Sequence, residues 1–503
     1  MPIPRPIQKI MLVFPPVTTA HFLEKMCCLP MGIACLGAGL RDRYDVRLLD
    51  AVVEGHHLER DLSPSFFQYG LDLAEIQRRI EAFQPDVLGV STVFSAQFST
   101  TAEILQRAKA WNPDLITITG GTHPSFLPEH CLTRANALDY IVLGEADESL
   151  PALIETLSQG RSPTEVDGLA YRENGSIRVN PKTRYLQNLD TLPFPARDLL
   201  PVEKYFEINV PMFFFYRSRR NLSFTTSRGC PFHCAFCSST RHWGNRYRVH
   251  SPERVLAEIE HLIQKYGVEE LKFEDDNLTV NTPRAKAIFQ GMIERGYNLK
   301  WNMPNGAMVM SLDDDELLDL MKRSGCYEVV LAFESGDQEV IDTIVKKPIN
   351  LSKAERIVEK VKARGIETHG AFIVGFPGET RQQILNTFDY ARKLKLDRIY
   401  PFSFSPLPGT ELFRICREQG LISNEDQVEA NEYALPQSFN QAFSPKELSA
   451  LQLRQYWYTA VRCALRNPPH FIRKYLGHIL LRPDVVRVIG RAMLQTVRVN
   501  VHP

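Results

Sequence analysis

Across residues 1–150, short apolar and β-branched runs alternate with stretches whose apolar positions recur at helical spacing. KIMLVFP (9–15), YDVRLLD (44–50), PDVLGVS (85–91), DLITITG (114–120) and DYIVLG (139–144) predict strands; GIACLGAGLRDR and LAEIQRRIEAF predict helices between them. Strands regularly separated by helices imply a doubly wound, Rossmann-like α/β sheet, whose ligand lies beyond the strands' carboxyl ends. The pattern then changes. In GLAYRENGSIRVNP the pair Asn174-Gly175 separates two alternating runs, a hairpin signature, and the proline-punctuated LDTLPFPARDLLP reads as a linker. A second alternation, from 222 to 405, carries the strand-like runs LSFTTS, ELKFED, LKWNMP, YEVVLAFES, ETHGAFIVG and RIYPFSF. Six such units predict a partial (β/α)6 barrel, with its site at the strands' carboxyl ends. The expected organisation is residues 1–160, a first α/β domain; 161–220, hairpin and linker; 221–410, the partial barrel; and 411–503, a basic, mostly helical C-terminal region.

Charge narrows the function classes. Lys+Arg and Asp+Glu are equal at 59 each, which argues against a nucleic-acid partner. No run of about 18 apolar residues predicts a membrane-spanning helix, and MPIPRPIQKIMLVFPP has too short an apolar stretch for a signal peptide. A cytoplasmic location is the expectation. From Lys446 onward ten Lys/Arg stand against two acids, with Tyr456, Trp457, Tyr458 and Phe471 among them. This is a solvated basic helical face or a peripheral contact for an anionic membrane surface or substrate.

Cysteine spacing changes the picture most. The ten cysteines are scattered except in RGCPFHCAFCSS (228–239), which holds Cys230, Cys234 and Cys237. C-x3-C-x2-C without a fourth cysteine nearby lacks the paired knuckles of a zinc ribbon and the run of a ferredoxin. Thiolates so spaced can hold three irons of a [4Fe–4S] cluster and leave the fourth open. A three-cysteine zinc site completed by His233 or His242 is the alternative.

With Phe236, the trio gives CxxxCxΦC (Φ aromatic), and the barrel resembles the radical S-adenosylmethionine (SAM) superfamily. That resemblance implies that SAM chelates the open iron, that Phe236 borders the adenine, and that an electron from a reductant such as flavodoxin or ferredoxin cleaves SAM to methionine and a 5′-deoxyadenosyl radical. KFEDDN (272–277) falls where the family binds the methionyl ammonium and implicates Glu274, Asp275 or Asp276. The family's usual pattern there is two glycines and a glutamate, so which acid acts stays open. FESG (333–336) resembles the segment contacting SAM's ribose and carboxylate, implicating Glu334 and Ser335. GAFIVGFPGET (370–380) resembles the adenine-side strand and turn, with Ile373, Gly375 and Glu379 at matching positions.

The N-terminal domain resembles cobalamin-binding domains marked by D-x-H-x-x-G, S-x-L and Gly-Gly. The corresponding stretches are DAVVEG (50–55), STV (91–93) and Gly120-Gly121. Asp50 and Gly55 match, whereas Val52 stands in the place of the histidine and Val93 in that of the leucine. The resemblance therefore implies cobalamin without a protein imidazole below cobalt. Gly120 and Gly121 would let backbone approach the corrin or its nucleotide tail closely. Ser91 and Thr92 would hydrogen-bond that tail, and Glu145, in GEAD (144–147), would line the same crevice. The polar-loop histidines His56 and His57 lie just past the motif.

Together the two halves resemble the cobalamin-dependent radical SAM enzymes. The resemblance implies methylation of an unactivated carbon: one SAM methylates the reduced corrin, a second yields the radical that abstracts substrate hydrogen, and the substrate radical takes the methyl group. The alternative is an anaerobic oxidative cyclase of the magnesium-protoporphyrin IX monomethyl ester type. A tRNA methylthiotransferase would need a second cysteine-ligated cluster, and a non-catalytic cobalamin sensor would leave the trio idle. MFFFY (212–216) and the basic tail point to a small-molecule substrate that is large and partly apolar, such as a lipid or tetrapyrrole.

Overall fold

The computed structural model describes residues 6–21, 25–64, 66–210, 216–422, 439–440 and 442–466. Most of MFFFY and the tail beyond residue 466, Phe471 included, lie outside the described residues.

The N-terminal strands are β1 (Lys9–Phe14), β2 (Val17–Ala20), β3 (Asp45–Asp50), β4 (Glu59–Asp61), β5 (Phe66–Tyr69), β6 (Val87–Ser91), β7 (Ile116–Gly120), β8 (Tyr140–Val142), β9 (Leu169–Glu173) and β10 (Ser176–Asn180). The main sheet runs β3-β1-β6-β7-β8-β9-β10. The pairs from β3 to β8 are parallel. β9 and β10 join antiparallel, so the expected hairpin lengthens the first sheet. Its turn has Asn174 at φ 51° and Gly175 at φ 79°, the doubly left-handed geometry that Asn-Gly favours. β1 alternates between two apolar cores: Ile10 and Leu12 face one, Met11 and Val13 the other. Helices cover both faces. In Leu73–Phe83 the side chain of Asp72 caps the Glu75 amide, and Leu73, Ile76, Ile80 and Phe83 form the buried stripe. Strand order reverses at the β1/β6 boundary, the chain passing to β3 on one side and to β6, β7 and β8 on the other, which opens a crevice beyond Phe14 and Ser91. A second small sheet, β2-β5-β4, is antiparallel.

The second half adds β11 (Asn221–Phe224), β12 (Ser227–Arg228), β13 (Arg248–Val249), β14 (Glu270–Phe273), β15 (Lys300–Ala307), β16 (Cys326–Glu334), β17 (Glu367–Val374) and β18 (Arg398–Ser403). β11-β14-β15-β16-β17-β18 form one parallel sheet in chain order, whose end strands β11 and β18 do not pair. On the outward face Phe273 and Trp301 pack edge to face, and Trp301 stacks on Phe289 of helix Thr282–Glu294. Alternate positions therefore point inward, and many are charged: Glu270 and Lys272 on β14 with Glu274 just after it, Glu328 on β16, Glu367 and His369 on β17. One N-terminal core is continuous with the barrel's core. Within the linker, Arg197 is buried against Glu258 at 2.8 Å.

Helix Pro445–Arg466 lies against β18, where Gln452 donates to the Pro401 carbonyl at 2.8 Å and to Ser403 Oγ at 3.1 Å. Leu448 packs with Val374, Ile384 and Phe388. This part of the basic region covers an open sheet edge. Among the described residues no helix is long and apolar enough to cross a membrane.

Candidate active site

The β12–β13 ribbon brackets residues 229–247 immediately after β11, at the barrel's carboxyl end. Gly229 opens this loop at φ 80°, where a Cβ would stand 3.1 Å from the Arg246 carbonyl oxygen. The loop is pinned at its middle. Ala235 N–H donates to the Val345 carbonyl (2.9 Å), the Ala235 carbonyl accepts from Leu412 N–H (3.0 Å), and Cys237 N–H reaches the Cys234 carbonyl at 3.1 Å.

Cys230, Cys234 and Cys237 are half-buried and close enough to feel one another's charge. Burial pushes Cys234 up to about 12 and Cys237 to about 11, while the Lys347 ammonium pulls Cys234 down. Left to themselves these thiols stay protonated, so their ligand set needs a cationic centre to become thiolate. Their sulfurs do not share single-ion spacing. Among the described residues, the group whose ligand atoms all lie within 4.8 Å is Glu328, Glu367 and His369. The wider spacing suits separate irons of a cluster. Cys27 and Cys131 lie in different apolar cores, so those two do not converge on a second cluster.

Of the three acids after β14, Asp276 faces the cysteine loop. It accepts Ser239 Oγ at 2.6 Å and is near enough to raise Cys230 and Cys237. It is accessible yet walled by protein, and burial raises its pKa. Asp275 is turned away: it accepts from the Thr226 amide (3.0 Å), Thr226 Oγ1 (2.7 Å) and Ser227 Oγ (2.5 Å), bracing the approach to the loop. Glu274 faces the barrel lumen, held by Ser223 Oγ at 2.7 Å, and burial lifts it to about 7.

Glu334 adopts φ 68°, unusual for a residue other than glycine, and accepts Lys347 Nζ at 2.7 Å. Ser335 is fully buried, sharing a 3.0 Å hydrogen bond with Thr387 Oγ1 and accepting Asp337 N–H, so it supports the turn. Glu379 accepts the Gly375 and Phe376 amides at 2.7 and 3.1 Å and holds the GFPGE turn together. Ile373 is half-buried, Gly375 has φ 85°, and Phe236 lies 6.2 Å from Phe376, ring to ring.

A cavity of about 540 Å³ lies between the two halves. Ser91, Gly120, Gly121 and Glu145 line it from the first domain, and Cys237, Ser239 and Asp276 from the barrel. Its N-terminal wall is mostly apolar side chains, among them Leu36, Val90 and Val93, interrupted by bare backbone at Gly120 and Gly121. A Cβ on Gly121 (φ 110°) would come 2.5 Å from the Thr92 carbonyl oxygen, and one on Gly120 would come 3.1 Å from that of Val142. Neither position has room for a Cβ against the neighbouring strand, so this stretch of wall is bare backbone, which suits a large flat group pressed against it.

The other expected cobalamin residues are supports. Thr92 is buried, hydrogen-bonded to Thr101 and Thr119. Val52 is buried in the shared core, and Gly55 admits the backbone of Leu71, whose nitrogen would lie 2.2 Å from a Cβ there. Asp50, with no histidine to hold, accepts the Tyr205 hydroxyl at 2.6 Å. Glu145 accepts Arg228, Arg248 Nη1 (2.7 Å) and the Leu186 amide (3.1 Å), while Asp147 takes Arg228 Nη1 at 2.7 Å. The GEAD loop thus ties the first domain to the strand leading into the cysteines.

Comparison with known proteins agrees with both halves. Residues 25–154 match the B12 binding domain family and residues 224–391 the Radical SAM superfamily. The chain is 33% identical over 454 residues to a cytidylyl-2-hydroxyethylphosphonate methyltransferase of Streptomyces wedmorensis, covering 84% of each chain. It belongs to the cobalamin-dependent radical SAM enzymes. An anaerobic magnesium-protoporphyrin IX monomethyl ester cyclase of Rubrivivax gelatinosus is 30% identical over 349 residues, 68% of this chain and 61% of that one. The fold matches TsrM, a radical SAM methyltransferase of Kitasatospora setae solved with cobalamin and a [4Fe–4S] cluster, at TM-score 0.67 and 17% identity over 90% of this chain and 89% of that one.

Lys347, Arg228 and Trp243, all at this radical SAM enzyme's site, escaped sequence reasoning. Lys347 leaves no local pattern; it follows a short π-helical turn, Ile341–Val345. Arg228 and Glu145 are 83 positions apart. His242 and Trp243 line the cavity, and burial with the nearby Arg228 charge holds His242 down at about 4, hence neutral.

Proposed function

We propose that this enzyme methylates a carbon atom of a small polar molecule, with Cys230, Cys234 and Cys237 holding three irons of a [4Fe–4S] cluster and the glycine-lined wall of the cavity receiving cobalamin. The observation that carries the reading is the shared cavity: Gly120 and Gly121 border it on one side, Cys237 and Asp276 on the other. When bound, the reduced cluster supplies the electron that cleaves SAM and the corrin carries the methyl group.

Asp276 is the acid positioned to accept the SAM ammonium, and Glu334, paired with Lys347, stands at the same strand ends. The pinned loop keeps the thiols together, where they would hold three irons and leave the fourth for SAM. At the site end of the barrel's inward face, Ser223 and Glu274 present polar groups rather than apolar surface. That supports a polar substrate over a lipid or tetrapyrrole. The Streptomyces relative is named for a polar nucleotide–phosphonate. A flavodoxin or ferredoxin is the electron donor this reading requires. The second reading, oxidative cyclisation, rests on the 30% identity to the Rubrivivax cyclase.

The test needs no known substrate. Protein reconstituted anaerobically with iron, sulfide and cobalamin is reduced and given SAM, and both SAM-derived products are measured. Methyl transfer predicts S-adenosylhomocysteine matching the bound corrin, together with 5′-deoxyadenosine. Cys234→Ala should reduce 5′-deoxyadenosine to background. Bound cobalamin and released 5′-deoxyadenosine without S-adenosylhomocysteine would favour cyclisation.

A further inference from the structure

At the amino ends of β16 and β17, away from the cysteine loop, lies a buried group that methyl transfer does not use. Glu328 pairs in register with Glu367, and His369 follows two residues along β17 on the same inward face. One carboxylate oxygen from each acid and one imidazole nitrogen all fall within 4.8 Å of one another. His369 and Glu328 side chains are 1% and 3% exposed.

The contacts within the group are not hydrogen bonds. His369 Nδ1 stands 3.5 Å from Glu328 Oε1, and Nε2 stands 3.9 Å from Glu367 Oε2. Glu328 Oε2 and His369 Nε2 are buried with no hydrogen-bond partner. Asn302, on β15, donates its amide N–H to Glu328 Oε1 at 3.2 Å and leaves its own Oδ1 unpartnered. A buried polar atom without a partner costs about 1–3 kcal/mol, more if charged. Three in one place call for a ligand.

The chemistry of the gap selects that ligand. Glu328 Oε2 and Asn302 Oδ1 only accept, so the occupant is a cation or a hydrogen donor. Enclosure excludes a substrate, whereas an ion can enter past Glu367, whose side chain is 16% exposed. Ligand atoms around a tetrahedral zinc at about 2.0–2.1 Å stand roughly 3.3 Å apart, and one atom from each of the three side chains already lies within 4.8 Å of the other two. Imidazole among carboxylates favours a transition metal over magnesium or calcium. Further contacts orient the ligands from behind: Arg217 Nη2 donates to Glu367 Oε1 at 2.6 Å, and the Tyr400 hydroxyl stands 3.4 Å from His369 Nδ1.

We propose that Glu328, Glu367 and His369 bind a divalent transition-metal ion of the zinc type, with the Asn302 amide oxygen beside it. The ion ties β15, β16 and β17 together at the barrel floor, about 20 Å along β16 from Glu334. It is structural and separate from the iron–sulfur cluster.

Elemental analysis of the reconstituted full-length protein, prepared without chelator, should find about one zinc in addition to about four irons per chain. Glu328→Gln, nearly the same shape, and His369→Gln should lose the zinc and keep the iron. Cobalt(II) added to zinc-depleted protein should give visible bands without the thiolate charge-transfer absorption expected of the cysteine loop, and Glu328→Gln should abolish those bands while its circular dichroism matches wild type. Equal zinc in wild type and both variants would overturn the proposal. So would zinc-free wild type lacking cobalt bands and destabilised by His369→Gln, which would show a protonated imidazole serving as the cation.

Discussion

The two walls of the shared cavity follow opposite rules. The N-terminal wall is built of apolar side chains such as Leu36, Val90 and Val93, with Gly120 and Gly121 bringing bare backbone to the surface. The barrel wall crowds functional groups: Cys237, Ser239 and Asp276 line it, with Glu274 in the adjoining lumen. The difference fits what each would hold. A large, flat, preformed cofactor needs room and close backbone, whereas a cluster and a charged co-substrate need ligands and counter-charges. Between the walls sits a third kind of structure, the buried ion network of Glu145, Asp147, Arg228 and Arg248.

Breaking that network should have the largest effect on stability. Glu145→Gln leaves Arg228 with Asp147, and Arg248 with the carbonyls of Leu186 (2.7 Å) and Trp243 (2.8 Å), but removes the charge both guanidinium groups share. Removing one partner of a buried pair typically costs 3–5 kcal/mol, and the remaining contacts place this variant near the lower end, about 3 kcal/mol. Urea unfolding of the cofactor-free protein measures it. If Glu145 is instead a cobalamin contact, stability will hold and only corrin retention will fall.

What could be read from the sequence divides along the same line. The parallel strands of both sheets were legible because each is a compact apolar run between helical stretches. The cysteine trio was legible because its spacing is local. The direction in which a polar side chain turns at a strand end was not. Thr92, Asp275, Ser335 and Glu379 stand beside the site in sequence, yet spend their hydrogen bonds on neighbouring backbone and hydroxyl groups. The small β2-β5-β4 sheet escaped because strands of three or four residues show no reliable period. The polar lumen was visible and passed over. In ELKFED, Glu270, Lys272 and Glu274 alternate with Leu271 and Phe273, and ETHG sets Glu367 and His369 two apart. Charge at every second position of a strand whose other face packs on helices marks a polar barrel interior.

The glycine wall gives a smaller effect that separates its two members. Gly121→Ala places a Cβ at 2.5 Å from a carbonyl oxygen in left-handed backbone, and strain of this kind costs about 1–3 kcal/mol. Gly120 has no positive φ, and its Cβ would meet a carbonyl oxygen at 3.1 Å, so Gly120→Ala should cost less. Cobalamin retained after gel filtration should fall at least tenfold in Gly121→Ala, while 5′-deoxyadenosine formation by the cluster persists. Loss of both activities together would mean that the two walls do not act separately.

The last effect is one of pH and lies at Asp50, which keeps the motif's aspartate where its histidine is replaced by Val52. Its carboxyl is wholly buried and accepts the Val52 amide at 2.8 Å and the Tyr205 hydroxyl at 2.6 Å, yet burial outweighs these bonds and raises it to about 7. Between about pH 4 and pH 7 the folded protein then holds a proton that the unfolded chain has released. Stability from this site falls as pH rises through that window and levels off above it. Asp50→Asn removes the titration and keeps an acceptor for the Val52 amide. Urea unfolding at pH 5 and pH 8 should show wild type gaining on the variant at the lower pH. A pH-independent difference would mean that Asp50 stays ionised in the fold, its charge carried by Tyr205 and the helix amides, with burial the lesser force.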